Sequence, residues 1–186
     1  MGRDCQQEGG QIVYRSKYEA YPFLADKYDD LRCDYELATD HLTSKTGQLR
    51  ALCIDDKDLY DQLAMIGDLI YHANACLRTP NSVTREEVDN IARIVESLNE
   101  QYKDSVGAFT LPQGSFRACL AHELRVDAKS LVRLMYRHNH QGHEVDPILF
   151  DLFNILSGYY FMLSLKLNIV DGVPEIPFVS RNYKVK

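Results

Sequence analysis

The sequence predicts an all-α protein, a five-helix antiparallel bundle, and three observations support that prediction. Five segments repeat apolar residues at helical spacing, the connections between them are short, and strand-like alternation is nearly absent before residues 176–180. The chain has 186 residues, of which 45% are hydrophobic and 26% charged, an ordinary globular composition that favours one domain with a sizeable core. We expect residues 1–17 to be flexible, residues 18–168 to form the bundle, and residues 169–186 to form a tail.

The first two helices are predicted from amphipathic stripes. The first extends from about Tyr18 to Leu49, with Pro22 near its start, where proline is tolerated. The second covers residues 56–77, in which every third or fourth residue is apolar. The turn-forming residues 79–82 end this helix and precede the next one.

The third and fourth helices each begin at a capping residue. Thr84 and Glu87 have the spacing of a capping box, which places the start of the third helix. The region from Val106 to Gly114 has no helical pattern and is predicted to be a loop. Ser115 follows it and is suited to cap the fourth helix.

The fifth helix is apolar on nearly every side. A loop over residues 138–144 precedes it, and Pro147 suits its first turn. A helix without a polar face lies at the centre of a protein or at a subunit interface. No run of 18 apolar residues is present, so the sequence predicts no membrane-spanning segment.

Charge and cysteine content limit the partners and the compartment. The formal net charge of −6 argues against a nucleic-acid surface. The five cysteines are scattered without a CxxC pair, which is typical of reduced thiols rather than of disulfides or a zinc knuckle. The first ten residues contain no apolar run and predict no signal peptide. We therefore expect a cytoplasmic protein with neither nucleic-acid nor membrane partners.

The fourth helix carries the clearest chemical pattern. His122, Arg125, Lys129 and Arg133 follow one another at spacings of three, four and four residues, which places them on one face of the helix. We call these four residues the basic stripe. Such a stripe suits a polyphosphate or another anion. A solvated basic face explains the same spacing.

Residues 109–133 also resemble a known motif without a gap. In PduO-type corrinoid adenosyltransferases, Phe-x-Leu-Pro-x-Gly is followed by Leu-His-x-x-Arg-x-x-x-Arg-Arg-x-Glu-Arg. The residues that agree are Phe109, Leu111, Pro112, Gly114, His122, Arg125 and Arg133. A second family motif, Asn-Arg-Leu-Ser-Asp-Tyr-Leu-Phe, is similar to residues 154–161.

The resemblance implies a fold, an assembly and a reaction. Members of the family are five-helix bundles that assemble as homotrimers, with active sites between subunits. They bind ATP, with Mg²⁺, and cobalamin or another corrinoid. They transfer the 5′-deoxyadenosyl group of ATP to the cobalt of cob(I)alamin and release triphosphate.

The resemblance also implies roles for individual residues. Phe109 corresponds to a ring that keeps the lower axial ligand away from cobalt, which changes the redox potential of the metal. Arg125 belongs with it to the catalytic set. The residues expected to bind ATP or the corrinoid are His122, Arg125, Lys129, Arg133 and Asn154.

Several departures from the family motifs leave an alternative open. Lys129, Ser130, Val132 and Gly158 stand where the family has Arg, Arg, Glu and Asp. The N-terminal phosphate loop, Thr-x-Thr-Gly-Asp-x-Gly, is not found in residues 1–20. The alternative is a catalytically lapsed homologue that binds a corrinoid, a nucleotide or a protein partner without turnover.

Two further segments have a chemical and a structural interpretation. Residues 43–47, Thr-Ser-Lys-Thr-Gly, have the composition of a phosphate-binding turn, but Gly47 more simply ends the first helix. His138, His140 and His143 contain enough imidazoles to ligate a transition metal. Their spacing fits no standard zinc pattern, and a polar loop between helices explains them equally well.

Overall fold

A computed structural model describes residues 7–8, 11–12, 14–103 and 109–182. It confirms the all-α five-helix bundle. The helices are α1 (Leu31–Ala51), α2 (Lys57–Ala73), α3 (Arg85–Tyr102), α4 (Phe116–His140) and α5 (Pro147–Val170). Two short strands, β1 (Gln7–Glu8) and β2 (Gln11–Ile12), pair antiparallel ahead of the bundle. The flexibility expected for residues 1–17 falls largely outside the described residues.

Helix α1 begins at Leu31, so the predicted start near Tyr18 is wrong. The carboxylate of Asp30 accepts the backbone N–H of Arg32 at 3.2 Å and caps the helix, while the backbone of Asp30 itself is extended. Residues 14–30 form turns instead. Within this segment the centroid of the Phe23 ring lies 3.8 Å from Cζ of Arg78, whereas Tyr18, Leu24 and Tyr28 are exposed. Helical spacing alone therefore did not distinguish a helix from a segment of turns.

The other helix starts follow their capping residues. The Thr84 hydroxyl and the Glu87 carboxylate form the predicted capping box of α3. Ser115 caps α4 by accepting the N–H of Ala118 at 3.2 Å, as predicted. Pro147 stands in the first turn of α5, also as predicted.

Three predicted helix ends are corrected. Helix α2, predicted to reach residue 77, ends at Ala73. Helix α4 continues to His140, so the loop expected from residue 138 begins later. Helix α1 passes through Gly47 to Ala51, so this glycine does not end it. A Cβ at Gly47 would have no neighbour within 4 Å, which is the open surroundings of a helix surface.

Helix α5 occupies the centre of the bundle, as its apolar sequence predicted. It packs against α3 and α4, while α1 packs against α2 and α4. By its length and composition, α5 is also apolar enough to cross a membrane. The expectation that the chain contains no segment of this kind is therefore wrong. However, 61% of its most apolar 18-residue window is buried inside the bundle, as in the core helix of a soluble protein.

A partly buried ion-pair network joins the turn segment to the start of the bundle. Arg78 donates from Nε to Glu36 at 2.6 Å and from its terminal nitrogen to Asp26 at 2.6 Å. Glu36 is only 4% exposed. The guanidinium also covers the Phe23 ring. Arg78 thus compensates a carboxylate that is removed from water.

Candidate functional site

Residues 109–114, here called the Phe109 loop, are held against the ends of two helices. Gly114 has φ of +146°, a backbone conformation that L side chains rarely adopt. The side chain of Asn168, in the last turn of α5, fills the space that a Cβ of Gly114 would take. Ser115 then begins α4. A glycine is therefore required at this motif position by both its backbone angle and its neighbour.

The chain after α5 returns to the Phe109 loop. We call residues 173–180 the tail segment. Leu111 donates its N–H to the carbonyl of Ile176 at 2.9 Å, and Phe178 donates to the carbonyl of Phe109 at 2.7 Å. Thr110 and Pro177 form an antiparallel bridge between these bonds. The strand-like pattern in the tail thus pairs with the motif loop.

Phe109 projects into solvent despite this ordered backbone. Its side chain is 76% exposed, and that of Phe178 is 48% exposed. An exposed phenylalanine on an ordered loop has little packing of its own and is available to a ligand or a partner. The ring is therefore not a core aromatic.

The basic stripe changes from buried to exposed along α4. His122 is 4% exposed, Arg125 is half-buried with its Cζ 5.9 Å from the Phe161 ring centroid, and Lys129 and Arg133 are exposed. The interpretation as a uniformly solvated face is therefore wrong at His122. The exposed end suits a charged group that stays near solvent, while the buried end lies beneath the tail segment.

A cluster of unpaired polar atoms lies at the buried end of the stripe. Among the described residues, both ring nitrogens of His122, Nε of Arg125 and Oε2 of Glu175 are buried without a hydrogen-bond partner. Burial lowers the pKa of His122, the charge of Arg125 lowers it further, and Glu175 partly opposes both. His122 is thus a neutral imidazole near neutral pH, placed between a cation and a carboxylate.

Asn154 lies apart from this cluster. It is exposed on α5, and its side-chain amide donates to the carbonyl of Phe150 on the same helix at 2.8 Å. Within the described ranges, no hydrogen bond or ion pair joins Asn154 to the basic stripe. Its role in ligand binding stays a prediction.

The Thr-Ser-Lys-Thr-Gly segment has a structural role inside α1. Lys45 forms ion pairs with Glu123 at 2.7 Å and Asp127 at 3.1 Å, and so connects α1 to α4. Thr46 donates to its own helix and contacts the hydroxyl of Tyr160 at 2.7 Å. A backbone in regular helix has no free N–H groups there to hold a phosphate. The segment does not supply the missing loop.

The model of the family described as cobalamin adenosyltransferase matches residues 26–167 of this chain. The chain belongs to the cobalamin adenosyltransferase family. A search of curated proteins finds no match.

Solved structures share the fold of this family member at low identity. A PduO-type ATP:co(I)rrinoid adenosyltransferase from Lactobacillus reuteri, in an arginine-to-lysine variant complexed with ATP, has a TM-score of 0.70 and 20% identity over 94% of this chain and 95% of that chain. A phenylalanine-to-histidine variant complexed with cobalamin and ATP has a TM-score of 0.72 and 19% identity, covering 94% and 89%. A phenylalanine-to-alanine variant with the same ligands has a TM-score of 0.71 and 17% identity, covering 91% of both chains.

The positions at which this cobalamin adenosyltransferase family member departs from its motifs are accommodated locally. Ser130 is exposed and donates to the carbonyl of Val126 at 3.0 Å. Val132 packs against the core cluster. A Cβ at Gly158 would lie 4.0 Å from Val95 of α3, so this position faces a neighbouring helix. None of the three places a carboxylate beside the stripe.

The three histidines at the end of α4 are divided between helix and loop. His138 is buried, and its ring stacks on that of His143 with the centroids 4.4 Å apart. Across the described part of the chain, no group of three or more His, Cys, Asp or Glu side chains is arranged to hold a metal ion. The burial of His138 and its stacking on His143 explain the positions of these two rings without a metal ion.

Two residues that sequence patterns missed complete the site. Asn168 is fully buried near the end of an apolar helix, and Glu175 belongs to the tail segment, with its Oε2 buried. An asparagine in an otherwise apolar helix was the one available signal, because buried polar groups need partners. Two of the partners of Asn168, Gln113 and Ser115, are remote in sequence.

We expect the free energy of unfolding to decrease as the pH falls from 7 to 5.5. Burial lowers the pKa of His122 and of His138 in the folded state, whereas the pKa of an unfolded histidine is about 6.5. Below about 6.5 the unfolded state therefore binds more protons, and each histidine removes up to about 1.4 kcal/mol per pH unit. Urea unfolding of the wild type and of His122→Gln at several pH values measures this slope. An unchanged slope in the variant would contradict the assignment to His122.

Proposed function

We propose that this chain is a divergent ATP:cob(I)alamin adenosyltransferase that transfers the 5′-deoxyadenosyl group of ATP to a corrinoid cobalt. The observation that carries the proposal is the exposed Phe109 ring, held on an ordered loop at the start of the helix that bears the basic stripe. Membership of the cobalamin adenosyltransferase family supports it.

The basic stripe is the proposed site for the triphosphate of ATP. When the adenosyl group moves to cobalt, the C5′–O bond breaks and the triphosphate leaves with the electron pair. Cations placed along the triphosphate stabilise that developing charge. Lys129 and Arg133 are exposed at one end of the stripe, and Arg125 is half-buried toward the other.

Lysine at position 129 is compatible with this role. Lysine binds phosphate as a point charge, although it lacks the planar fork of arginine. The neighbour from Lactobacillus reuteri with an arginine-to-lysine replacement is complexed with ATP, so one such change in this fold permits nucleotide binding.

Phe109 is the proposed determinant of cobalt coordination. An apolar ring below the corrin excludes water and nitrogen ligands from the lower axial position, which leaves a four-coordinate Co(II) that is easier to reduce. Two neighbours that hold both cobalamin and ATP are phenylalanine variants. The exposure of Phe109 meets the geometric requirement for such contact.

The proposal includes a homotrimer in the cytoplasm, as in the family that the chain resembles. The half-exposed apolar side chains of α4 and the solvent-facing Phe109 would then lie near a subunit interface. ATP would bring Mg²⁺ with it. We assign no protein ligand to that ion, because the described residues contain no cluster of three or more metal-binding side chains.

The alternative is a catalytically lapsed homologue that binds a corrinoid, a nucleotide or a protein without turnover. One observation favours it. Residues 43–47, whose composition resembles that of a phosphate-binding turn, lie inside α1 and are engaged in helix contacts. The described residues thus supply no replacement for the family's N-terminal loop.

One experiment separates these two functions. The wild-type protein is titrated with ATP and cob(II)alamin, and the spectrum of four-coordinate Co(II) is recorded before strong reductant is added. The enzyme shows that spectrum and then accumulates adenosylcobalamin. A folded protein that binds either ligand without forming adenosylcobalamin would identify the lapsed homologue.

We expect Arg125→Ala to weaken nucleotide binding about tenfold or more. Charge-assisted contacts of a partly desolvated arginine contribute roughly 1.5–3 kcal/mol. Isothermal titration with ATP measures the dissociation constant, with circular dichroism to confirm the fold. Arg137→Ala, which removes an exposed arginine near the far end of the same helix, is the matched control and should leave the constant unchanged. Equal constants for the wild type and Arg125→Ala would contradict the assignment.

A further inference from the structure

Asn168 connects three separate parts of the site. It is fully buried in the last turn of α5. Its side-chain oxygen accepts the backbone N–H of Ser115 at 2.8 Å. Its nitrogen donates to the carbonyl of Gln113 at 3.3 Å and to Oε1 of Glu175 at 2.7 Å. One side chain thus fixes the end of the Phe109 loop, the start of α4 and the tail segment.

The approach of Asn168 to the loop is permitted by Gly114. The positive φ and the absence of a Cβ allow the amide to lie directly against the backbone. This contact leaves both hydrogen-bonding groups of the Asn168 amide satisfied by the protein. We call this buried contact of Asn168 with Gly114 and Ser115 the junction.

Glu175 holds the tail segment onto this junction. Its Oε1 accepts from Asn168, and its Oε2 is buried. The charge of Glu175 raises the pKa of His122, which lies at the buried end of the stripe. A carboxylate is costly to bury, so it persists there only if nearby donors and positive charge compensate it. The positive charge of Arg125 acts on the same histidine as the charge of Glu175 does.

The tail segment in turn determines where Phe109 points. The backbone bonds from Leu111 to Ile176 and from Phe178 to Phe109 flank the bridge between Thr110 and Pro177. Directly opposed residues of an antiparallel pair project on the same side. The Phe109 ring is mostly exposed, so few side-chain contacts fix its position. The direction of the ring is therefore set by the backbone of Phe109, which the tail segment holds.

We propose that Asn168 and Glu175 are positioning residues for Phe109: they hold the tail segment against the loop so that the ring is presented to the corrinoid in one orientation. This inference rests on the proposed function. It assigns to the C-terminal residues a role in cobalt coordination, although they need not touch the corrinoid themselves.

The first test uses the unliganded protein and so does not depend on the reaction. Amide hydrogen exchange is measured at Leu111 and Phe178, the two donors of the loop–tail pair. Glu175→Ala should exchange about tenfold faster at both amides, since a hydrogen bond to a charged group is lost. Glu175→Gln retains an oxygen that accepts from Asn168 and should exchange within about twofold of the wild type. Glu144→Ala, an exposed glutamate in the loop before α5, is the matched control.

The second test uses ATP and cob(II)alamin. Glu175→Ala should lower the fraction of four-coordinate Co(II) and kcat about tenfold and should change the ATP dissociation constant less than it changes kcat, because the hydrogen bond of Glu175 is with Asn168 and not with the basic stripe. Glu175→Gln should restore both quantities. Unchanged exchange at Leu111 and Phe178, or a normal four-coordinate fraction in Glu175→Ala, would overturn the positioning role. If the wild type itself gives no four-coordinate Co(II), the proposed function fails, while faster exchange in Glu175→Ala would still show that Glu175 holds the tail.

Discussion

Phe109→Ala is expected to fold normally and bind ATP, yet lose more than about nine-tenths of its adenosyl-transfer rate, which corresponds to at least roughly 1.4 kcal/mol in the barrier. The truncated side chain no longer excludes the lower axial ligand, so the five-coordinate, less reducible cobalt persists. Formation of adenosylcobalamin under strong reductant measures the rate. The spectrum of Co(II) before reduction reports the coordination directly.

The chain offers a matched control for this variant. Phe116 is 74% exposed in the first turn of α4, but it lies outside the loop–tail pair. Phe116→Ala removes the same apolar area and should leave the coordination spectrum unchanged. Equal rates for the wild type and Phe109→Ala, in an active protein, would remove Phe109 from the mechanism.

Arg78→Ala is expected to reduce the free energy of unfolding by about 3–5 kcal/mol. Glu36, at 4% exposure, and Asp26 would both lose the guanidinium that compensates them, and Phe23 would lose its cover. Urea unfolding measures the change. Lys57→Ala removes a solvent-exposed i,i+4 ion pair with Asp61 and serves as the control, for which no measurable change is expected. A loss for Arg78→Ala no larger than for this control would contradict a structural role for the partly buried network.

Helix starts were predicted correctly where a capping residue and the apolar periodicity pointed to the same position. Thr84, Ser115 and Pro147 each placed a helix start, because these residue types satisfy or avoid the free N–H groups of a first turn. The start of α1 was not predicted correctly. The apolar spacing continued back through Phe23, although that ring packs in a turn segment on Arg78.

Local sequence patterns predicted only part of the candidate site. The order of residues 109–133 predicted the loop and the stripe, since helical spacing fixes which side chains share a face. The burial of His122 and the contact between Asn168 and Glu175 depend on where the chain returns after α5. The spacing of residues in the sequence does not predict the course of the chain after α5, because tertiary packing determines that course.

The junction at Asn168 also has a consequence for the order in which the protein is completed. Its contact with Ser115 joins residues 53 positions apart, and the tail segment that it holds is synthesised after all five helices. Contacts between distant parts of a chain form late, since their loop-closure entropy is compensated only once the intervening structure exists. A nascent chain therefore has the exposed Lys129 and Arg133 on α4 before the Phe109 loop is held in place. Under the proposed function, nucleotide binding and the control of cobalt coordination would mature at different times during biosynthesis, and the second would require the whole bundle to be assembled.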